Sequence, residues 1–308
     1  MLSRWVCGLA AAGMILSAAN ARAEQAPCGP GKLGVSRTIE IDTATGPRFG
    51  GKKKEFEILE DGEVILTFDD GPIRGHTRAV LAALDAHCAK ATFFLVGRMA
   101  VSDPDMVKEY DRRGHTVGTH TWSHANLKNL TPLKARHEIE LGLSAVHLAL
   151  GKPVAPFFRF PYLAEPRSMT LHVQGRGIAA FNIDIDSKDY RAHDGETVRK
   201  KVMHDLAIAR KGIILFHDIQ ASTARGLPAL LDDLKANNFR IVHMVPKSGV
   251  TTLPEFDALA EKAMGRKQVA SASSPLARRA ITWPAVVSPA DDKSETAPAD
   301  ARPRRSNA

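Results

Sequence analysis

A mostly parallel α/β fold is the architecture this chain predicts, on three observations. Between Glu63 and Pro246, short apolar runs alternate with helical patterns. The intervening helices are long enough to serve as crossovers between parallel strands. The polar clusters of the segment fall where the apolar runs end. Seven strands are too few for a regular eightfold barrel, so the expectation is a distorted, incomplete (β/α) barrel of about seven parallel strands. A doubly wound open sheet is the alternative. Either architecture gathers chemistry at the carboxyl ends of its strands.

In order, the strand candidates are 64–68, 91–96, 116–119, 157–160, 178–183, 213–216 and 240–245, each a short run dominated by apolar, β-branched or aromatic residues. Helical patterns over 77–87, 103–113, 132–150, 167–174, 195–210 and 227–237 fill the gaps. The segment 24–62 is rich in Gly, Lys and Pro and offers one strand, 38–41. It reads as an extension packed on the domain at 63–246.

The first residues read as an export signal. Arg4 supplies a positive start, Trp5 to Ala19 is apolar, and Ala21-Arg22-Ala23 is a small-x-small site, so cleavage after Ala23 and a periplasmic location are expected. Cys7 would leave with that segment. The two cysteines that remain, Cys28 and Cys88, suggest one disulfide in an oxidising compartment, tying the extension to the first helix. No later segment is long and apolar enough to span a bilayer. The formal net charge is +8, and part of the excess sits after Gly265, where the sequence turns rich in Ala, Ser and Pro without apolar period. A disordered basic tail over 265–308 is expected there, open to contact with an anionic envelope surface. Export disfavours nucleic acid as a partner, and a monomer is expected.

The strand ends carry the chemistry. Thr67-Phe68-Asp69-Asp70-Gly71-Pro72 places two adjacent carboxylates after a buried run, which is costly unless a cation sits between them and other ligands, or one binds metal while the other acts as base. After the third strand come His120 and His124, which share a face if the turn is helical. Two imidazoles and a carboxylate form a divalent-metal set suited to zinc, with cobalt or nickel as alternatives. Arg159, at the fourth strand end, could hold a carboxylate bidentately. The fifth run leads to Asp184, Asp186 and Asp189, and the sixth ends in Leu215-Phe216-His217-Asp218. A histidine beside a buried acid is a candidate general acid. The remaining histidines, His115 and His243 among them, read as surface or packing groups.

In this order, the Asp-Asp pair, His-x-x-x-His, Arg-x-Pro-Tyr, the segment ending in Asp189-Tyr190 and Leu-x-His resemble the five motifs of the polysaccharide deacetylase family, the NodB-homology carbohydrate esterases. The resemblance covers roughly 63–246 and implies the NodB-homology fold. It implies Asp69 as the base that activates water, with Asp70, His120 and His124 holding the metal. Arg159 would orient Asp69, the Tyr162 backbone N–H would help bind the oxyanion, and Leu215 would line the acetyl pocket. His217 would protonate the leaving amine, held by Asp186 or Asp189. Leu163 and Tyr190 stand where the family often has Gly and Trp. The implied activity is removal of N-acetyl groups from N-acetylhexosamine units of peptidoglycan or another envelope glycan. The alternatives are a chitooligosaccharide deacetylase, an O-acetyl esterase of xylan-like chains and a catalytically silent glycan-binding domain. A structural envelope protein anchored by its tail would leave the strand-end clusters unexplained.

Overall fold

Every ladder among the described residues is parallel. The computed structural model describes residues 28–272 apart from residue 30. Its strands are β1 (Arg37–Ile41), β2 (Arg48–Phe49), β3 (Glu63–Asp69), β4 (Thr92–Leu95), β5 (Thr116–Thr119), β6 (Phe157–Phe158), β7 (Ala179–Phe181), β8 (Ile185–Asp186), β9 (Gly212–His217) and β10 (Arg240–Pro246). The helices are α1 (Arg74–Ala86), α2 (Gly97–Ser102), α3 (Pro104–Arg112), α4 (Pro132–Leu150), α5 (Arg167–Gly175), α6 (Gly195–Ala209), α7 (Ala221–Ala236) and α8 (Pro254–Ala272).

The order runs β3-β4-β5-β6-β7 in one direction and β3-β9-β8 in the other. Among the described residues no ladder joins β7 to β8, so the ring stays open at that seam, as an incomplete barrel should. Strand β2 pairs with β7, Arg48 opposite Ala180 and Phe49 opposite Phe181. One edge of β3 is shared between two partners: β10 meets it at Glu63 and Val64, and β4 at Thr67 to Asp69. Strand β1 extends the sheet beyond β10.

Residue alternation along β3 explains where the site must lie. Ile65, Thr67 and Asp69 share one face, and Val64, Leu66 and Phe68 share the other. The Ile65 face joins a core with Phe94, Phe157, Phe181 and Ile213. On the other face Phe68 stacks on Phe93 and Phe216 at centroid distances of 4.9 and 5.3 Å. Strand β9 repeats the pattern, with Ile213, Leu215 and His217 on one face. From Ile65 in β3 and Ile213 in β9 onward, this face therefore turns from apolar to polar toward the carboxyl end, and β3 remains buried throughout.

Helix boundaries follow capping chemistry. Asp103, Thr131 and Asp194 accept from Met106, Lys134 and Thr197 N–H at the starts of α3, α4 and α6. Helix α7 starts at Ala221, six residues before the 227–237 pattern. Its first turns bury Ser222, Thr223 and Gly226, not large apolar groups. Gly226 lies so close to Gly195 of α6 that a Cβ on Gly195 would come within 2.4 Å of the Gly226 nitrogen. Helix α2 and strands β2 and β8 are too short to leave a periodic signal. Residues 265–272 continue α8, which corrects the expectation of disorder from Gly265. The described residues as far as Glu261 form one compact unit, and the end of α8 from Lys262 belongs to another. The proposed signal at 1–23 and the rest of the tail after Ala272 lie outside the described residues.

Cys28 and Cys88 form a disulfide across a sequence separation of 60. Arg37 holds the buried Glu63 with Nη2 to Oε2 at 2.6 Å, and this bond, above all, draws the carboxyl down to about 2. Among the described residues no helix is long and apolar enough to cross a membrane.

Candidate active site

Asp69 and His217 are register partners on β3 and β9, one ladder position above Thr67 and Leu215 counted along the same face. All four side chains thus rise from adjacent strands toward the same mouth. Arg159, directly after β6, is fully buried there and reaches Asp69 Oδ1 with Nη1 at 2.7 Å. Its contact with that carboxylate is single rather than bidentate. Nη1 also donates to Thr67 Oγ1 at 2.8 Å, Nε to the Phe181 carbonyl and Nη2 to the Asn182 carbonyl, both at 3.3 Å. The guanidinium packs 4.4 Å from the centre of the Phe94 ring. Its donors are therefore spread over β3 and the end of β7, which fixes the arginine before any substrate arrives. Burial pushes the Asp69 carboxyl up, opposed by the charges of Arg159 and His217.

His120 and His124 converge, and they do so without the helical turn that their spacing would also allow. Thr121 and His124 both take left-handed backbone conformations, with φ of 64° and 63°. Gly97 and Arg98 of α2 donate to the Thr121 and Trp122 carbonyls, and Glu138 of α4 accepts from Ser123, which hold the loop in that path. His120 Nδ1 lies 2.6 Å from the Arg159 carbonyl, an acceptor only, so Nδ1 carries the proton and Nε2 is free as a ligand. Burial holds the His120 pKa down at about 3, leaving the ring neutral as metal binding requires. Asp70 Oδ1 lies 3.7 Å from His120 Nε2 and 3.4 Å from His124 Nε2. It is buried and has no hydrogen-bond partner, an orphan that a cation would satisfy. The three ligand atoms lie within 4.8 Å of one another. The donor set of two imidazoles and one carboxylate fits a divalent first-row metal.

The two acids considered for His217 separate clearly. Asp189 is buried and accepts from His217 twice, from the backbone N–H at 2.6 Å and from Nδ1 at 2.7 Å. Thr223 donates to the same carboxylate and Ser222 to the Asp189 carbonyl. Asp186 instead pairs with Lys188 Nζ at 2.6 Å. Burial would lower His217, yet the bond and charge of Asp189, with Asp69 and Asp70 beyond, raise it to about 9. Nε2 is left on the side away from Asp189.

Tyr162 and Leu163 also take positive φ, 58° and 53°. Leu163 thus occupies the backbone region that a Gly would enter without strain. The Tyr162 ring meets His124 edge-on at 4.7 Å, and Tyr190 meets His217 edge-on at 5.6 Å, so two exposed aromatics flank the mouth. Leu215 is buried in β9 below His217.

Several contributors carried no motif. Thr67 could have been found from its place two residues before Asp69 on the same face. Thr223 and Asn182 give no sequence signal at all. Asp218, which follows His217 in sequence, is buried and bonded by Thr77 and Tyr110, and it is Asp189 that meets the His217 ring. A cavity of about 1110 Å³ lies elsewhere: it is lined by Cys28, His115, Thr116 and His243, among others, and by none of the residues above.

Comparison with known proteins agrees with this geometry. The family model described as polysaccharide deacetylase matches residues 57–180. A peptidoglycan-N-acetylglucosamine deacetylase of Listeria monocytogenes is 33% identical over 180 residues, 58% of this chain and 37% of the relative. A chitooligosaccharide deacetylase of Azorhizobium caulinodans is 31% identical over 156 residues, 50% of this chain and 73% of the relative. The solved structure of a Bdellovibrio bacteriovorus peptidoglycan deacetylase superposes with a TM-score of 0.64 at 30% identity, covering 71% of this chain and 61% of that one. The chain thus spans little more than a third of the Listeria relative's length. With the strand-end residues, the open parallel barrel and these likenesses in agreement, the chain belongs to the polysaccharide deacetylase family.

Proposed function

We propose that this chain is a metal-dependent hydrolase that removes N-acetyl groups from N-acetylhexosamine units of peptidoglycan or a related envelope glycan. One observation carries the reading: a carboxylate fixed by arginine and an imidazolium fixed by a carboxylate stand in register beside a three-ligand metal set. Asp70, His120 and His124 would hold the ion, zinc in the first instance. When bound, it would polarise the acetyl carbonyl and make water more acidic.

The chain's own groups do the rest. Asp69 accepts the proton of the attacking water, and Arg159 keeps its carboxylate aimed and ionised. The Tyr162 N–H donates to no backbone carbonyl among the described residues and is available to the developing oxyanion. Leu215 closes the pocket against the acetyl methyl group. His217, charged through Asp189, delivers a proton to the sugar nitrogen as the C–N bond breaks. The products are acetate and a glucosamine-type unit.

The printed names of the relatives favour two glycans, peptidoglycan and chitooligosaccharide. Export to the periplasm after cleavage at Ala23 would put the chain beside the former. The test is acetate release from peptidoglycan and chitopentaose by the mature protein, with zinc, with chelator and as Asp69→Asn. Release abolished by chelator and by the substitution is expected, and the rates rank the substrates. No release from either with zinc demonstrably bound would overturn the reading.

A further inference from the structure

Beside the site, on the same rim, a cleft of about 340 Å³ is lined by Arg48, Lys53, Glu165, Arg167 and Thr170. Arg48 opens the extension's strand β2, Lys53 follows that strand, and Glu165 comes three residues after Tyr162. Glu165 is built in. Its Oε2 accepts from Arg48 Nη2 at 2.5 Å and its Oε1 from Asn182 Nδ2 at 2.7 Å. Asn182 in turn accepts from Arg159 through its carbonyl, so the cleft and the Asp69 carboxylate share one buried scaffold.

The charge in this cleft does not balance. Three cations face one carboxylate, and both oxygens of that carboxylate are engaged. Among the described residues neither Lys53 nor Arg167 pairs with any carboxylate, and both are exposed. Two cations gathered beside a third repel one another unless an anion joins them. The lining residues bring three cationic heads and no large apolar side chain, so charge complementarity favours a carboxylate-bearing ligand.

We infer that this cleft holds the carboxylate of an acidic unit next to the saccharide that is deacetylated. The inference rests on the deacetylase reading and deepens it, making the substrate an acidic glycan and not a neutral chitin-like chain. In a peptidoglycan strand two sources offer that carboxylate: the lactyl ether of the alternate sugar and the peptide attached to it. Lys53 and Arg167 supply the charge, and Arg48, fixed by Glu165, marks the inner end.

The test compares three probes: chitopentaose, peptide-free peptidoglycan strands with free lactyl carboxylates, and peptide-bearing strands. Binding is measured by calorimetry on the full chain in an Asp69→Asn background, with and without Lys53→Gln plus Arg167→Gln. Losing two exposed cations should weaken the acidic probes about tenfold and chitopentaose less than twofold. A loss on the peptide-free strands identifies the lactyl group as the source, and a loss confined to peptide-bearing strands identifies the peptide. An equal change on all three probes, or none on any, would overturn the inference. Acetate release by the unsubstituted protein on the same probes reports on the deacetylase reading separately: charge-selective binding without release would sink that reading and leave the cleft standing.

Discussion

His120 and His124 at the carboxyl ends of the strands, and His115 and His243 around the amino end of β5, are two histidine pairs on one sheet. At the carboxyl end a carboxylate faces every imidazole of the site: Asp70 faces His120 and His124, and Asp189 faces His217. At the amino end the partners are neutral. His115 Nδ1 accepts from Ala91 N–H, its Nε2 is buried without a partner, and His243 Nε2 meets Thr116 Oγ1. Burial, above all, drives both downward, His243 to about 4, with the charge of Lys90 adding to the effect. A buried histidine without an acid is a neutral packing group, whereas one placed beside an acid can bind metal or move a proton. The larger cavity lies at the end without that pairing, so cavity size is a poor guide to chemistry here.

The difference can be broken most severely at Asp69 and His124. Asp69→Asn should lower turnover about a thousandfold, as loss of a general base does, while calorimetry still finds zinc bound. His124→Ala should lose zinc and turnover together. Unchanged turnover in Asp69→Asn would move the base elsewhere.

A smaller effect is expected along the pH axis. His217 must be protonated to act as an acid, so kcat/KM should fall as pH rises through about 9. In Asp189→Asn that limb should move down toward about 6.5, the ordinary imidazole value. The same pair stabilises the fold, because the folded pKa lies above the unfolded one. The contribution of His217 with all the acids around it, about 3 kcal/mol, is complete below about 6.5 and is lost as pH climbs through about 9. Denaturant melts at pH 6 and pH 10, compared with Asp189→Asn, read that loss. A limb that stays near pH 9 in the variant would remove Asp189 from the role.

The amino end should respond in stability and not in rate. His243→Ala is expected to leave kcat/KM within about twofold while costing about 1 kcal/mol of stability, through lost packing and the bond to Thr116. Asp186→Asn, which touches Lys188 and not His217, should change turnover least of all. A large kinetic loss at His243 would erase the contrast between the two ends.

Much of this contrast was legible in the sequence because it is written in residue types at strand ends. Asp69, Asp70, His120, His124, Arg159 and His217 each follow an apolar run and could be placed without coordinates. The choice between Asp186 and Asp189 could not. Both lie in one irregular segment, and only the path through β8, which pairs Asp186 with Leu215 and leads Asp189 back beneath His217, separates them. The histidine loop stayed open for a related reason, since spacing by four residues is satisfied equally by a helix or by left-handed turns at Thr121 and His124. Strand β2, two residues long, has no period to detect. The tail boundary at Gly265 failed because composition, which changes there, does not mark where a helix such as α8 ends.

That two-residue strand lies outside the stretch matched to the family model, yet it covers an edge of the barrel. The stretch matched to the family starts at residue 57, yet β1, β2, the half-cystine at position 28 and Arg37 all precede it. A chain begun at residue 57 would keep every motif and bare the β7 and β10 edges that the leader strands now occupy. Bare parallel edges recruit neighbouring molecules. Light scattering should therefore find the shortened chain self-associating while the full one does not.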